Sequence, residues 1–187
     1  MAKRTLDIVL ALALLPFALP VLLVAALAVR LDSPGPAFFR QERVGKDLQR
    51  FRLLKIRTMT EGTKQAASHE VGAAQVTRVG AILRSSKIDE LPQIFAVLAG
   101  NMSFVGPRPC LPVQEELVAE RKRRGVYAVL PGITGPAQVA GVDMSTPVEL
   151  AEIDARYVRE RTLLGDLRLI LLTAIGGGSG DAARQDR

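Results

Sequence analysis

Tryptophan is absent from this 187-residue chain, and cysteine and histidine each occur once. A lone Cys110 excludes an internal disulfide framework, and one thiol with one imidazole excludes the Cys/His clusters that hold zinc. A serine-histidine-acid triad would have only His69 to use, in a polar stretch (Thr63 to Thr77) read as a solvated loop. Any metal is therefore a hard cation on oxygen ligands, Mg2+ or Mn2+. Aromatics amount to 4%, which weakens any stacking platform for single-stranded nucleic acid, and no nucleic-acid partner is expected.

Apolar residues and positive charge are abundant. Hydrophobic residues make up 48% and are concentrated near the N-terminus, and the formal net charge is +6. Lys3, Arg4, Arg30, Arg40, Arg43, Lys46, Arg50, Arg52, Lys55 and Arg57 bracket the apolar segment. A basic collar of this kind is attracted to anionic headgroups by about 1 kcal/mol per residue near the surface.

The uncharged run from Ile8 to Val29 would reach about 33 Å as a helix, enough for a bilayer core of about 30 Å. Pro16 and Pro20 interrupt it, each costing about 3 kcal/mol in an ordinary helix interior. Bending there would leave two arms too short to cross. Because both flanks are basic, the positive-inside rule puts both ends on the cytoplasmic side. A re-entrant membrane helix over residues 1–31 is the expectation. A straight spanning helix and a signal segment ending near Ala26-Leu27-Ala28 are the alternatives.

Residues 32–175 read as one mixed α/β but mostly helical catalytic domain, with a tail at 176–187 expected to be disordered. Ala37–Lys46 and Phe51–Met59 suggest a short β-hairpin. A helix is expected to start at Ser86 or Asp89 and end at Gly100, with Leu91, Ile94, Phe95 and Leu98 on its apolar face. Val113–Arg124 reads as a solvated amphipathic helix, Leu130–Pro136 as a rigid loop and Pro147–Arg161 as a helix. Leu163–Ile175, apolar but carrying Asp166 and Arg168, reads as an interfacial helix. Asp7 is expected to pair with Arg4.

Asp89 and Glu90 stand at the expected helix start, near Arg84 and Lys87. The helix dipole and the cations favour ionised carboxylates, suiting a nucleophile or a metal ligand. The same residues would equally serve as an N-cap and a first-turn acid. Arg108 lies between Pro107 and Pro109 after Gly106, so its guanidinium fork is presented with little freedom, as bidentate phosphate binding requires. Arg84, Lys55 and Arg57 have weaker claims to the same role.

These motifs resemble the bacterial sugar transferases, the monotopic phosphoglycosyl transferases, from Lys3-Arg4-Thr5-Leu6-Asp7 to about Thr173. The resemblance rests on Lys55-Ile56-Arg57-Thr58-Met59, Asp89-Glu90-Leu91-Pro92-Gln93, Asn101 to Pro109, and Pro131 to Val139. The size is that of the minimal, single-domain members. Leu19-Pro20 stands where the family often has Ser-Pro, and Val142 stands where a cation often occurs.

The resemblance implies Asp89 as nucleophile on a UDP-sugar, Glu90 as its assistant, and UMP release. It implies Mg2+ on the Asp89–Glu90 dyad, and phosphate binding by Arg84, Arg108, Pro109, Lys55 and Arg57. The acceptor would be polyprenol (undecaprenyl) phosphate, and the location the cytoplasmic face of the bacterial inner membrane, among its lipids. An N-acetylated amino or diamino sugar is the expected donor type, and a homodimer is left open.

Overall fold

The computed structural model describes residues 2–62 and 75–176, so His69, most of the polar loop and the tail lie outside the described residues. Helix α1 (Ala2–Asp32) runs unbroken through Pro16 and Pro20, not as two separate helices. Its buried positions are Asp7, Ala11, Ala18, Leu22, Ala25 and Val29. Steps of three, four and seven keep these on one side, and the alanines let the backbone approach the domain closely. Leu12, Phe17, Leu23, Val24, Leu27 and Leu31 are exposed, leaving a second apolar side uncovered by protein.

Both ends of α1 are fastened to the same domain. At the start, Lys3 pairs with Asp166 at 2.6 Å, and Arg4 donates to the carbonyls of Val97 and Leu98. Asp7 accepts from Ser103 Oγ and Phe104 N, not from Arg4, because Arg4 is spent on those carbonyls. At the other end, the Arg57 guanidinium donates to the carbonyls of Val29, Ser33 and Pro34, tying the last turn of the helix and the residues just after it to the strand that ends at Ile56.

The expected hairpin is present. Strand β1 (Phe38–Val44) pairs antiparallel with β2 (Arg50–Ile56), Phe39 opposite Lys55 and Arg43 opposite Phe51. The two-residue period puts Arg43, Gln41, Leu53 and Lys55 on one face. Helix α2 (Arg78–Ser85) follows, capped by Thr77. The single helix expected up to Gly100 is instead a 3-10 turn (Ile88–Glu90) followed by α3 (Gln93–Leu98). Gln93, Ile94 and Val97 are its buried positions and Phe95 is exposed, which corrects the expected apolar face. Gly100 does close the element, with φ +85.

Strand β3 (Ser103–Val105) pairs in parallel with β4 (Gly132–Thr134), which replaces the rigid loop expected over Leu130–Pro136. The two chains meet tightly: a Cβ on Gly132 would lie 2.1 Å from Gly106 N, so neither neighbour tolerates a side chain there. Helices α4 (Glu115–Arg123), α5 (Pro136–Val139), α6 (Pro147–Glu160) and α7 (Leu163–Ala174) complete the fold. Far from being wholly solvated, α4 buries Leu117 and Arg121. Apolar clusters join α1 to α3 and β2 through Ala11, Ala18, Leu53, Ile94, Val97 and Met102. A second joins the far half of α1 to Ile56 and Leu83, with Ile88 and Leu91 packed against it.

Candidate active site

Ile88 and Leu91 flank the Asp89–Glu90 pair, and both pack on the Leu22, Ala25 and Val29 side of α1. The turn that carries the two acids is therefore packed on the apolar helix. Their turn begins at Lys87, whose φ of 58 and ψ of 15 are left-handed, a conformation that is costly without glycine. Lys87 N donates to Arg84 O and Glu90 N to Lys87 O, which ties the turn to the end of α2.

Three sequence-predicted cations converge on the dyad. Lys55 Nζ lies 2.8 Å from Glu90 Oε1, delivered by the inward face of β2. Arg108 embraces Glu90 with Nη2 at 2.5 Å and Nη1 at 3.4 Å. Arg84 stands within electrostatic reach of Asp89, and its Nε donates to Thr58 Oγ1 at 2.8 Å. Arg57 is not in the group, because its guanidinium caps α1 in a buried position (7% exposed). Pro109 contributes through its carbonyl, which accepts from Arg43 Nη1 at 3.0 Å.

The two carboxyls have opposite electrostatics. Burial pushes Asp89 up to about 6, against the pull of Lys55, and the Glu90 charge adds to the rise. The direction is opposite to the lowering expected from dipole and cations, because the turn is 3-10, Asp89 is 8% exposed and desolvation outweighs the cations. A carboxyl at about 6 nonetheless remains largely ionised at neutral pH. Burial also works to raise Glu90, but Arg108 and Lys55 outweigh it and hold that carboxyl well below the usual range.

Sequence reasoning missed Arg43, Arg121 and Asp154. Arg121 donates through Nε and Nη2 to Asp154 Oδ2 and through Nη1 to the Arg108 carbonyl. In the sequence Arg121 hides among Arg123, Arg124 and Lys122. Asp154 did carry a signal, since it falls on the stripe of α6 formed by Leu150, Ala151, Ala155 and Tyr157.

Two adjacent acids with oppositely shifted carboxyls are ringed by cations on a turn packed against an apolar helix, an arrangement of the kind that handles phosphate chemistry. The chain belongs to the bacterial sugar transferase family, which it matches over residues 1–177. It is 44% identical over 182 residues to a UDP-glucose:undecaprenyl-phosphate glucose-1-phosphate transferase of Caulobacter vibrioides, covering 91% of this chain and 67% of that protein. It is 40% identical over 192 residues to the protein of that name in Escherichia coli (97% and 41% covered). An Aeromonas hydrophila UDP-N-acetylgalactosamine-undecaprenyl-phosphate N-acetylgalactosaminephosphotransferase is 36% identical over 182 residues (91% and 42%). The chain thus spans about two-thirds of the first relative and about two-fifths of the other two.

Proposed function

We propose that this chain moves a sugar 1-phosphate from a UDP-sugar to undecaprenyl phosphate, through a covalent phosphosugar adduct on Asp89. The carrying observation is the division of labour in the dyad. Glu90 is a fixed anion that holds Lys55 and Arg108 at set positions. Asp89 is desolvated, with its carboxyl raised to about 6, so roughly nine in ten copies are ionised at pH 7 and each is a better nucleophile than an ordinary aspartate.

Asp89 Oδ attacks the phosphorus that carries the sugar. The bond from that phosphorus to the UMP oxygen breaks, and UMP leaves with the electron pair. A phosphate oxygen of the lipid then attacks the same phosphorus and expels the Asp89 carboxylate, regenerating the enzyme. Lys55, Arg84 and Arg108 stabilise the charge that develops on the transferring oxygens. The relatives' names divide between glucose and N-acetylgalactosamine, so the donor is a UDP-hexose or UDP-N-acetylhexosamine.

The donor set fits Mg2+. Asp89 and Glu90 offer adjacent carboxylate oxygens, and this ion is commonly held by one or two carboxylates plus substrate phosphates. Asp89 and Glu90 would hold it, and it would supply neutralisation of the diphosphate charge.

A monotopic, re-entrant placement of α1 at the cytoplasmic face of the inner membrane is supported by its two fastenings. Lys3 with Arg4 at one end and Arg57 at the other attach it to one domain, whereas a spanning helix would separate its ends by a bilayer. Exposed Leu164 and Leu171 on α7 and the uncovered side of α1 would enter lipid.

The test is donor alone. Stoichiometric UMP and a phosphosugar mass increment on the peptide holding Asp89 are expected. Turnover with both substrates but no adduct under any donor or metal condition would overturn the covalent route.

A further inference from the structure

Four consecutive carbonyls around Arg108 each accept a hydrogen bond. Pro107 O receives Gly132 N at 3.0 Å and Cys110 O receives Val44 N at 2.9 Å. Between them, Arg108 O receives Arg121 Nη1 at 2.7 Å and Pro109 O receives Arg43 Nη1 at 3.0 Å. Pro107 and Pro109 have no N–H, so this segment is fastened through its acceptors. The outer two donors are backbone. The inner two are guanidiniums from β1 and α4, exposed by only 7% and 1%.

Resting on the reading of Arg108 as a phosphate-holding residue, we infer that Arg43 and Arg121 are positioning residues. They form a clamp on adjacent peptides that sets where the Arg108 guanidinium stands. Holding neighbouring carbonyls from two sides fixes the orientation of the peptide between them as well as its place, and the Arg108 side chain leaves the chain at that point. Each arm is itself oriented. The Arg121 fork spends Nε and Nη2 on Asp154 Oδ2, at 2.9 and 2.7 Å, which aims Nη1 at the carbonyl. Arg43 spends Nη2 on Gln41 Oε1 at 2.6 Å and has Nη1 for Pro109. Buried guanidiniums are expensive, and apolar residues of similar volume often serve stability as well or better. Their retention here has a use if Arg108 must be held within a fraction of an ångström of the reacting phosphate.

Removing each arm with its partner avoids stranding a buried charge: Arg121→Met with Asp154→Leu, and Arg43→Met with Gln41→Leu. UMP release is measured on the full chain in lipid nanodiscs with UDP-glucose, UDP-N-acetylgalactosamine and undecaprenyl phosphate, beside a thermal melt. The clamp predicts a fall in kcat/KM of about 10–100-fold for either arm, as for other supporting residues of a site. It also predicts a further change below about twofold when the same arm is removed from Arg108→Ala enzyme, because the clamp acts only through that side chain. A merely structural role would lower both backgrounds equally.

If Arg108→Ala is impaired and the losses add, the clamp is overturned and the Arg108 reading stands. If Arg108→Ala turns over normally, the phosphate-holding reading falls and takes the clamp with it. The two arms lie on different elements, so a variant that fails to fold in one leaves the cycle on the other decisive.

Discussion

The carboxyls of Asp89 and Glu90, adjacent in the chain and facing one ring of cations, shift in opposite directions because burial outweighs the cations only at Asp89. Glu90 takes the direct contacts, 2.8 Å to Lys55 and 2.5 Å to Arg108, and its acidity rises. Asp89 feels the same cations at longer range and loses more to desolvation than it gains from them. Such a split is how one site obtains a permanent anion and a tunable, basic carboxylate from two neighbouring acids.

Activity should therefore show an acid limb set by Asp89. A nucleophile must be ionised, so kcat/KM rises as pH increases through about 6 and levels off above it. Removing Lys55, the strongest of the pulls that lower Asp89, moves the limb to higher pH. Lys55→Met enzyme should accordingly recover part of its lost activity when assayed at alkaline pH. Matching profiles for Lys55→Met and the unmodified chain would place Lys55 outside the Asp89 environment.

Stability should run against activity at residue 89. Its carboxyl titrates higher in the folded protein than in the unfolded chain, so the native state binds the extra proton between the ordinary value near 3.8 and about 6. Stability contributed by that proton is present at low pH and lost as pH rises through about 6. Asp89→Asn, which removes the buried charge, should stabilise the fold at pH 7.5 by on the order of 2 kcal/mol and raise the melting temperature, while abolishing UMP release. Glu90→Gln should instead lower the melting temperature, and it should impair activity as well. It leaves Lys55 and Arg108, 15% and 12% exposed, without their anion, for a loss of about 3 kcal/mol. Melts of both variants at pH 5 and 7.5 check the signs.

Local pattern carried the hairpin, α6 and α7, because alternation, capping residues and apolar stripes are short-range signals. Long-range pairing was not legible. Nothing local to Leu130–Pro136 says that Gly132–Thr134 will lie parallel to Ser103–Val105. Nor does the order of charges in α4 say which arginine turns inward to Asp154. Asp89 shows the same limit: its neighbours in sequence argue for a carboxyl below its ordinary value, and burial by distant elements raises it instead.

Arg57 gives a direct separation of structural from substrate-binding cations. Its guanidinium reaches the carbonyls of Ser33 and Val29 at 2.8 and 3.5 Å and also donates to Pro34. Replacing it with Met removes the C-terminal fastening of α1 and should cost about 2–3 kcal/mol of stability. The KM for the UDP-sugar should change less than about twofold in the enzyme that remains folded, whereas Arg108→Ala should weaken turnover. A large rise in donor KM for Arg57→Met would return this residue to the phosphate site.

The placement of α1 can be read with introduced cysteines, because the native Cys110 is fully buried and gives little background. Ala2→Cys marks the start of α1, and Gln49→Cys marks the exposed hairpin turn after its end. Lys3–Asp166 and the Arg57 cap hold those two regions on one domain, so both cysteines should meet the same solvent. In inverted membrane vesicles an impermeant maleimide should label both, and in right-side-out spheroplasts neither. The uncovered side of α1, with Phe17 and Leu23 exposed by 74% and 73%, must then be met by acyl chains of a single leaflet, with the prolines at its deepest point. Labelling of the two positions from opposite sides would mean that α1 crosses the bilayer. The Lys3–Asp166 pair and the Arg57 contacts could then not both hold in the membrane, and the re-entrant placement would fall.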